Sequence, residues 1–310
     1  MDGNQMTWCE RLLPWQLHPE TKTNIRRIMK SIYLPLQLFL ISLLFACSAS
    51  RPVSTNTMGQ DTHELLQQDV MAVLWYQRAA ESRALYYQAF NLAHDRLDQI
   101  MAADTTGRKM AVVVDIDETV LSNSPWQAYS ILNNAPYPEG WDEWIKSAQA
   151  DPTPGAVDFL NYAVSKGVDV YYISNRKQDN LQPTIENLKK WNFPEAEGSH
   201  VLLKTTTSDK TERRADVENT HEIVLMMGDN LGDFEQLFQG KGTEARNALV
   251  NQNKSSFGRR FIVLPNPMYG EWEGATYQYH YGKTAGDKMN DRMNALQSFN
   301  RNTYYESKQN

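Results

Sequence analysis

Four aspartates stand at the ends of two apolar runs of the sequence. Asp115 and Asp117 end the first run, and Asp229 and Asp233 follow a later one. Grouped together, these carboxylates would repel each other without a cation, and their hard oxygen atoms suit Mg²⁺. One carboxylate can then attack phosphorus, and a second, two residues later, can protonate the leaving oxygen and activate water. The pattern therefore predicts metal-assisted phosphoryl transfer.

A hydroxyl and an ammonium group lie between the two acidic pairs in the sequence. Ser174 ends another apolar run and is followed by Asn175 and Arg176, and Lys210 follows a third run. Such groups can hold phosphoryl oxygens while negative charge shifts in the transition state. Together with the aspartates they make a much stronger signal than one acidic residue at a strand end.

The chain alternates apolar runs with amphipathic segments from residue 109 onward, which predicts βαβ units. The predicted strands are 110–116, 168–174, 201–204, 223–228 and 261–264, and the predicted helices are 156–165 and 180–191. We expect an α/β fold, with a Rossmann-like open parallel sheet and helices on both faces. Ligands of such sheets bind at the carboxyl ends of the strands, where the groups named above stand.

Two further segments surround this core of residues 105–310. Residues 61–104 have helical spacing without Gly or Pro and predict one or two helices, in which His63 and His94 are expected to be structural. Residues 121–153 are too long for a tight connection and predict a small cap insertion. We expect the cap tryptophans Trp141 and Trp144 to pack within it.

The N-terminus has the parts of a secretory signal: a basic flank, an apolar stretch and a small-residue exit at Cys47. The exit resembles a bacterial lipoprotein signal, which predicts lipidation of Cys47, and Ser48 after it predicts the outer membrane. A cleaved soluble signal with an incidental cysteine is the alternative. The predicted divisions are an over-called extension at 1–28, the signal at 29–46 and a tether at 47–60.

The composition excludes several classes of protein. With 31 Lys and Arg against 37 Asp and Glu, the net charge of −6 argues against nucleic-acid binding. The sequence contains no run of about 18 apolar residues, which argues against a polytopic membrane protein. The two cysteines, Cys9 and Cys47, leave the body of the chain without a disulfide or a cysteine-based zinc site.

The motifs resemble those of the haloacid dehalogenase superfamily in its phosphatase form. The resemblance is carried by DIDET at 115–119, YISNR at 172–176, Lys210 and GDNLGDF at 228–234. Further segments resemble the class C nonspecific acid phosphatases, the lipoprotein e family of secreted 5′-nucleotidases. These segments are SNSPWQAY at 122–129, PEGWDEW at 138–144, PTPGAVDFL at 152–160 and FIVLPNPMYGEWE at 261–273.

The resemblance implies a role for each acidic residue. Asp115 is the expected nucleophile and Asp117 the expected general acid and base. Mg²⁺ is expected to bind the Asp115 carboxylate, the Asp117 backbone carbonyl and Asp229, with Asp233 near the metal directly or through water.

The phosphate-binding roles fall to the residues between the acidic pairs. By resemblance, Ser174 and Lys210 bind the phosphate. Lys204 is the alternative cation because it lies nearer its strand end. Asn175 and Arg176 are expected to shape the pocket, with a structural ion pair as the equal alternative for Arg176.

The leaving group is expected to meet aromatic side chains. Tyr269 matches the substrate-stacking aromatic of the family, and Trp126 and Trp272 are weaker candidates for the same role. Asn123 is expected to contact the substrate. Arg213 and Arg214 are expected on a helix, in surface or salt-bridge roles.

The resemblance implies a Mg²⁺-dependent phosphomonoesterase that takes nucleoside monophosphates, nicotinamide mononucleotide and aryl phosphates and is lipid-anchored to a membrane. The sequence leaves open whether the protein forms a homodimer. A dehalogenase would not need Asp117, and a phosphomutase would find few phosphosugar bisphosphates outside the cell. A non-catalytic surface lipoprotein that binds a ligand or adheres is the alternative from a different class.

Overall fold

The computed structural model describes residues 57–299. The predicted extension at 1–28, the signal at 29–46 and the lipidation site Cys47 lie outside the described residues. No helix within residues 57–299 is long and apolar enough to cross a bilayer.

A five-stranded sheet forms the centre of the fold. The described residues form seven strands, of which β2 and β3 make a separate small sheet: β1 (Met110–Val114), β2 (Leu121–Ser122), β3 (Asp151–Pro152), β4 (Asp169–Lys177), β5 (Val201–Lys204), β6 (Glu222–Gly228) and β7 (Phe261–Val263). The main sheet has the order β5-β4-β1-β6-β7. All its pairings are parallel. This confirms the α/β fold predicted from the alternating runs.

Helices cover both faces of this sheet. They are α1 (Thr57–Gln67), α2 (Val70–Arg78), α3 (Ala80–Ala103), α4 (Ser124–Asn133), α5 (Trp141–Lys146), α6 (Ala156–Ser165), α7 (Leu181–Lys190), α8 (Thr211–Glu218), α9 (Thr243–Gln252), α10 (Glu271–Thr276) and α11 (Ala285–Ala295). The side chains of β1 alternate between faces. Val112 and Val114 join one buried cluster with α3 and α6. Ala111 and Val113 join another, so both faces are buried.

The N-terminal helical segment contains three helices where the sequence predicted one or two. The last break is at Ala79, whose φ of −73° and ψ of 129° are extended. No Gly or Pro marks this break, so the sequence pattern missed it. The turn lets the hydroxyls of Tyr76 and Tyr86 meet at 2.6 Å, and that of Tyr86 donates to the Glu118 carbonyl at 2.5 Å.

The insertion after β1 is closed at its base by a small antiparallel ladder. In β2 and β3, Leu121 pairs with Pro152 and Ser122 pairs with Asp151. Helices α4 and α5 lie between these strands and place aromatic rings above the sheet edge. Trp126 and Trp141 meet edge to face at 5.1 Å between ring centroids.

Candidate active site

The carboxyl ends of β1, β4 and β6 meet at one cavity of about 700 Å³. Parallel strands bring these ends together because β1 lies between β4 and β6 in the sheet. The lining includes Asp115, Asp117, Asn175, Arg176, Lys210, Asp229 and Asp233 on the sheet side, and Trp126, Tyr137, Trp141 and Tyr269 around the mouth. Most of the residues predicted from the sequence therefore lie around one space.

Three of the predicted aspartates form a compact cluster. Asp115, Asp229 and Asp233 each bring an oxygen within 4.8 Å of the others. The close approach depends on Gly228, because a Cβ there would overlap the carboxylate of Asp233. The cluster thus has the oxygen donors that a divalent metal prefers.

The ammonium group of Lys210 lies against this cluster. It contacts the carboxylate of Asp115 and lies 2.6 Å from Oδ1 of Asp233. Burial lowers the pKa of Lys210, but the charges of the two carboxylates outweigh it and raise that pKa overall. Lys204, the alternative cation, is absent from the lining of this cavity.

Burial makes the ionised forms of these aspartates energetically unfavourable. Burial raises the pKa of Asp115 to about 7, with Lys210 opposing the rise and Asp233 adding to it. Burial, followed by the charges of Asp233 and Asp115, raises the pKa of Asp229. The amide nitrogens of Asn230 and Asn266 each donate to Oδ2 of Asp229 at 2.8 Å. A bound cation would relieve the remaining repulsion, so the donor set fits a divalent metal.

Asp117 is held by three side chains from different parts of the chain. The guanidinium of Arg176 lies 2.8 Å from Oδ1 of Asp117, and only 1% of the Arg176 side chain is exposed. Asn123 donates to the same oxygen at 2.7 Å, and the Ser174 hydroxyl donates to Oδ2 at 3.3 Å. Arg176 thus both lines the cavity and forms the ion pair that the sequence offered as its alternative.

Asn123 and Ser174 lie behind the cavity wall rather than in it. Both are fully buried. Trp144 donates to Oδ1 of Asn123 at 2.8 Å, and the backbone N–H of Arg176 donates to the Ser174 hydroxyl at 3.1 Å. Asn123, predicted to contact substrate, instead orients Asp117 in this structure.

Glu118 is a buried part of the site that the sequence analysis did not single out as a functional residue. Its carboxylate accepts hydrogen bonds from the Asn123 backbone N–H at 2.6 Å and from the Tyr269 hydroxyl. Burial, followed by the charge of Asp117, raises the pKa of Glu118 to about 8. Its φ of 55° is the left-handed conformation that favours Gly.

The prediction of a surface or salt-bridge role is wrong for the buried Arg214, whereas Arg213 is partly exposed. Both lie on α8, but their guanidinium groups donate to backbone carbonyls of the site. Arg213 donates to the Ser174 carbonyl at 2.6 Å and to Oδ1 of Asn175 at 2.8 Å. Arg214 is buried and donates to the Asp233 carbonyl at 3.1 Å. These bonds fix the loops that carry the catalytic candidates.

The aromatic candidates differ in position. Tyr269 and the buried Trp126 line the cavity. Trp272 is 47% exposed and donates to the Tyr269 carbonyl at 3.1 Å, outside the cavity lining. His94 stacks on Tyr162 at 3.8 Å, away from the cavity, which agrees with its expected structural role.

Comparisons with known proteins agree with this geometry. A family model described as "HAD superfamily, subfamily IIIB (Acid phosphatase)" matches residues 38–272. Two solved structures of the Class C acid phosphatase from Bacillus anthracis are similar to this chain, with TM-scores of 0.74 and 0.75, and the second has tungstate bound. In each case the identity is 48%, over 76% of this chain and 100% of the other.

Proposed function

Because this chain belongs to the HAD superfamily, subfamily IIIB, and is therefore a phosphoric monoester hydrolase, we propose that it is a Mg²⁺-dependent 5′-nucleotidase working through an aspartyl-phosphate. The observation that carries the proposal is the meeting of Asp115, Asp117 and Lys210 around one cavity. A nucleophile, an acid and a cation are the groups that this reaction needs.

Asp115 is the proposed nucleophile. One of its carboxylate oxygens attacks phosphorus, the bond from phosphorus to the leaving oxygen breaks, and an acyl-phosphate forms. Asp117 gives its proton to the leaving oxygen and then removes a proton from water. The water oxygen attacks phosphorus and the bond from phosphorus to the Asp115 oxygen breaks, which releases phosphate and restores both carboxyl groups to their starting states. Lys210 stabilises the Asp115 carboxylate before attack and the phosphoryl oxygens afterwards.

Mg²⁺ would be held by the Asp115 carboxylate, the Asp117 backbone carbonyl and Asp229, with Asp233 close by. When bound, it would supply positive charge to the phosphoryl oxygens and neutralise the carboxylates. The oxygen-only donor set and the raised pKa values of the buried Asp115 and Asp229 support a hard divalent cation.

The proposed substrates are nucleoside 5′-monophosphates, nicotinamide mononucleotide and aryl phosphates. The phosphate of any monoester can use the same charged groups, so discrimination must come from the leaving group. Tyr269 and Trp126 line the cavity beside the charged groups and offer ring faces and edges for a base. The similar bacterial enzyme binds tungstate, a tetrahedral oxyanion like phosphate, which supports a phosphate ester as the substrate.

A phosphate-release assay with and without chelator tests the proposal. Adenosine monophosphate, nicotinamide mononucleotide, 4-nitrophenyl phosphate and glycerol phosphate would be compared on one preparation. We expect metal-dependent turnover of the first three and poor turnover of the last. Absence of phosphate release from every ester in Mg²⁺ would leave the non-catalytic alternative.

Lipid anchoring to the outer membrane through Cys47 is part of the same proposal and rests on the lipoprotein-like signal alone. Cys47→Ser should release a membrane-bound protein into the soluble exported fraction, because the acyl chains supply the membrane affinity. Fractionation and metabolic labelling with a fatty acid would test this. A soluble, unlabelled wild type would leave a plain cleaved signal.

A further inference from the structure

A second group of potential metal ligands lies at the amino-terminal ends of the strands, opposite the candidate active site. Asp169 begins β4, and Glu195 and His200 lie in the connection between α7 and β5. One potential ligand atom from each lies within 4.8 Å of the other two, and all three residues are partly buried. Asp169 is roughly 16 Å along the strand from Ser174, at about 3.3 Å per residue. The group is therefore distinct from the candidate active site.

We propose that Asp169, Glu195 and His200 form a structural site for a divalent cation of the Zn²⁺ class. Imidazole nitrogen and carboxylate oxygen are both ligand types that Zn²⁺ takes in proteins. The site goes beyond the phosphatase function and does not take part in it.

The spacing of the ligand atoms suits a tetrahedral ion. Nε2 of His200 lies 3.9 Å from Oε1 of Glu195. Two ligands that each lie about 2.1 Å from a tetrahedral metal are about 3.4 Å apart. A side-chain shift of about half an ångström therefore brings this pair onto one ion.

The other polar atoms of these residues already have partners. Nδ1 of His200 lies 3.4 Å from a Glu197 carboxylate oxygen. Oε2 of Glu195 accepts from the Val170 N–H at 2.5 Å. Oδ2 of Asp169 lies 2.7 Å from Nε2 of His221. Metal ligands are usually oriented by such outer hydrogen bonds, so the arrangement resembles a prepared site rather than a chance contact.

The charge of the cluster also favours a cation. Among the ion pairs of residues 57–299, the carboxylates of Asp169, Glu195 and Glu197 are paired with histidines and with no Lys or Arg. With neutral imidazoles the cluster is strongly negative. The Tyr171 ring contacts the rings of both His200 and His221, at 4.7 Å and 5.3 Å between centroids, which restrains both imidazoles.

A metal here would join three segments of the chain. It would tie the start of β4 to the connection before β5 directly, and to His221 before β6 through the bond to Asp169. The connection already meets the strand through the Val170 N–H, the Tyr172 bonds to the Pro194 and His200 carbonyls, and ring contacts of Phe193 and His200 with Tyr172 and Tyr171. We therefore expect a bound metal to stabilise the amino-terminal end of the sheet against unfolding.

Measuring the zinc stoichiometry of the full chain tests the proposal. Because the acidic active-site cluster also attracts metals, the informative quantity is the difference in bound zinc between a variant and the wild type. Metal-free protein would be titrated with Zn²⁺ and the bound metal measured by mass spectrometry. We expect His200→Ala to bind one equivalent fewer than the wild type. His63→Ala, which changes an exposed histidine on α1, is the matched control and should bind as the wild type does.

Two further variants separate ligation from packing. Glu195→Gln keeps an amide oxygen for the Val170 N–H and should also lose one equivalent. His221→Gln changes only the outer partner and should weaken zinc binding by about 10- to 100-fold. Phosphatase activity in Mg²⁺ should persist in all three variants, which reports that each is folded.

Location of the ion completes the test. Anomalous diffraction at the zinc edge should give a peak between Asp169, Glu195 and His200. The proposal is overturned if His200→Ala and the wild type bind equal zinc, or if zinc-soaked crystals show a peak only at the acidic active-site cluster. In either case the histidines would simply clasp the connection through ion pairs.

Discussion

The hydroxyl of Tyr269 donates a hydrogen bond to the carboxylate of Glu118, which lies 151 residues earlier in the chain. The bond joins the loop after β7 to the segment that follows the proposed nucleophile. It also holds the Tyr269 ring at the cavity wall. The proposed substrate discrimination by Tyr269 and the position of the Asp115–Asp117 segment are therefore linked through this hydrogen bond.

The first prediction concerns the ring of Tyr269. Aromatic stacking contributes about 1–3 kcal/mol per base, so nucleoside monophosphates should exceed glycerol phosphate in kcat/KM by about 10- to 100-fold. Tyr269→Ala should remove most of that difference, while its loss on glycerol phosphate should be no larger than the loss caused by the missing hydrogen bond to Glu118. Steady-state kinetics on both esters measures it.

Tyr269→Phe is the matched control for that prediction. It keeps the ring but removes the hydrogen bond to Glu118. We expect the substrate preference to persist, with a similar loss of kcat/KM on both esters because the buried carboxylate loses a donor. Equal losses on both esters in Tyr269→Ala would give the ring a structural role only.

The second prediction concerns the two carboxylates proposed for chemistry. Asp115→Asn should abolish turnover with the fold intact, because an amide cannot form the acyl-phosphate. Asp117→Asn should lower kcat by about 10²–10⁴-fold, because proton transfer is lost. Circular dichroism would check the fold. Substantial activity of Asp115→Asn, in protein free of deamidation, would remove Asp115 as nucleophile.

The third prediction concerns the metal. EDTA should silence the enzyme and Mg²⁺ should restore it, while Ca²⁺ should act poorly because its larger, looser shell does not suit an octahedral Mg²⁺ site. Asp229→Ala should greatly raise the Mg²⁺ concentration needed for half activity. Asp216→Ala, on the exposed side of α8, should leave it unchanged. Full activity after exhaustive chelation contradicts the metal assignment.

The fourth prediction concerns Arg214. Arg214→Met removes the donors to the carbonyls of Gly232 and Asp233. Buried acceptors without donors cost about 1–3 kcal/mol, which corresponds to a fall in Tm of roughly 3–10 °C for a chain of this size. Calorimetry measures this fall, and kcat/KM should decrease because Asp233 shifts. Arg78→Met, on the exposed surface of α2, should change neither quantity.

The fifth prediction concerns pH. Burial, and then the charge of Asp117, raises the pKa of Glu118 from its ordinary value of 4.5 to about 8. Between these pH values the folded protein keeps a proton that the unfolded chain releases. The free energy of unfolding therefore falls as pH rises from about 4.5 to 8, by on the order of 2–5 kcal/mol from this group.

Urea unfolding at several pH values in EDTA would measure that fall. Glu118→Gln cannot ionise and should lose less stability across the interval. Glu186→Gln, at an exposed position of α7, should follow the wild type. If the profiles of wild type and Glu118→Gln run parallel, Glu118 does not carry the excess proton.

The fold was largely predictable because strand runs and strand-end polar groups are local signals. The run at 110–116 predicted a buried strand, and β1 is buried at every residue. Helix α6 matches its predicted bounds, because Pro154 and Gly155 mark its start. The break at Ala79 was missed because tertiary contacts of Tyr76 and Tyr86, rather than Gly or Pro, accompany it.

The site was predictable in its charged groups but not in the groups that hold them. Arg213 and Arg214 bind backbone carbonyls, which every residue possesses, so no sequence pattern reveals the partner. The sequence predicted surface or salt-bridge roles on a helix instead. Asn123 was expected in the cavity because it is close to the nucleophile in sequence. The buried indole of Trp144 and the carboxylate of Asp117 hold it behind the wall.

The ladder of β2 and β3 has a consequence for how this enzyme can diversify. It pairs the two ends of the insertion, and Thr153 adds a backbone bond to the Val120 carbonyl at 3.0 Å. The segment between these anchored ends can vary at its exposed positions while the sheet edge keeps its shape, provided that Asn123 and Trp144 remain to orient Asp117. The proposed specificity of the insertion can therefore change independently of the proposed nucleophile Asp115, which lies outside it.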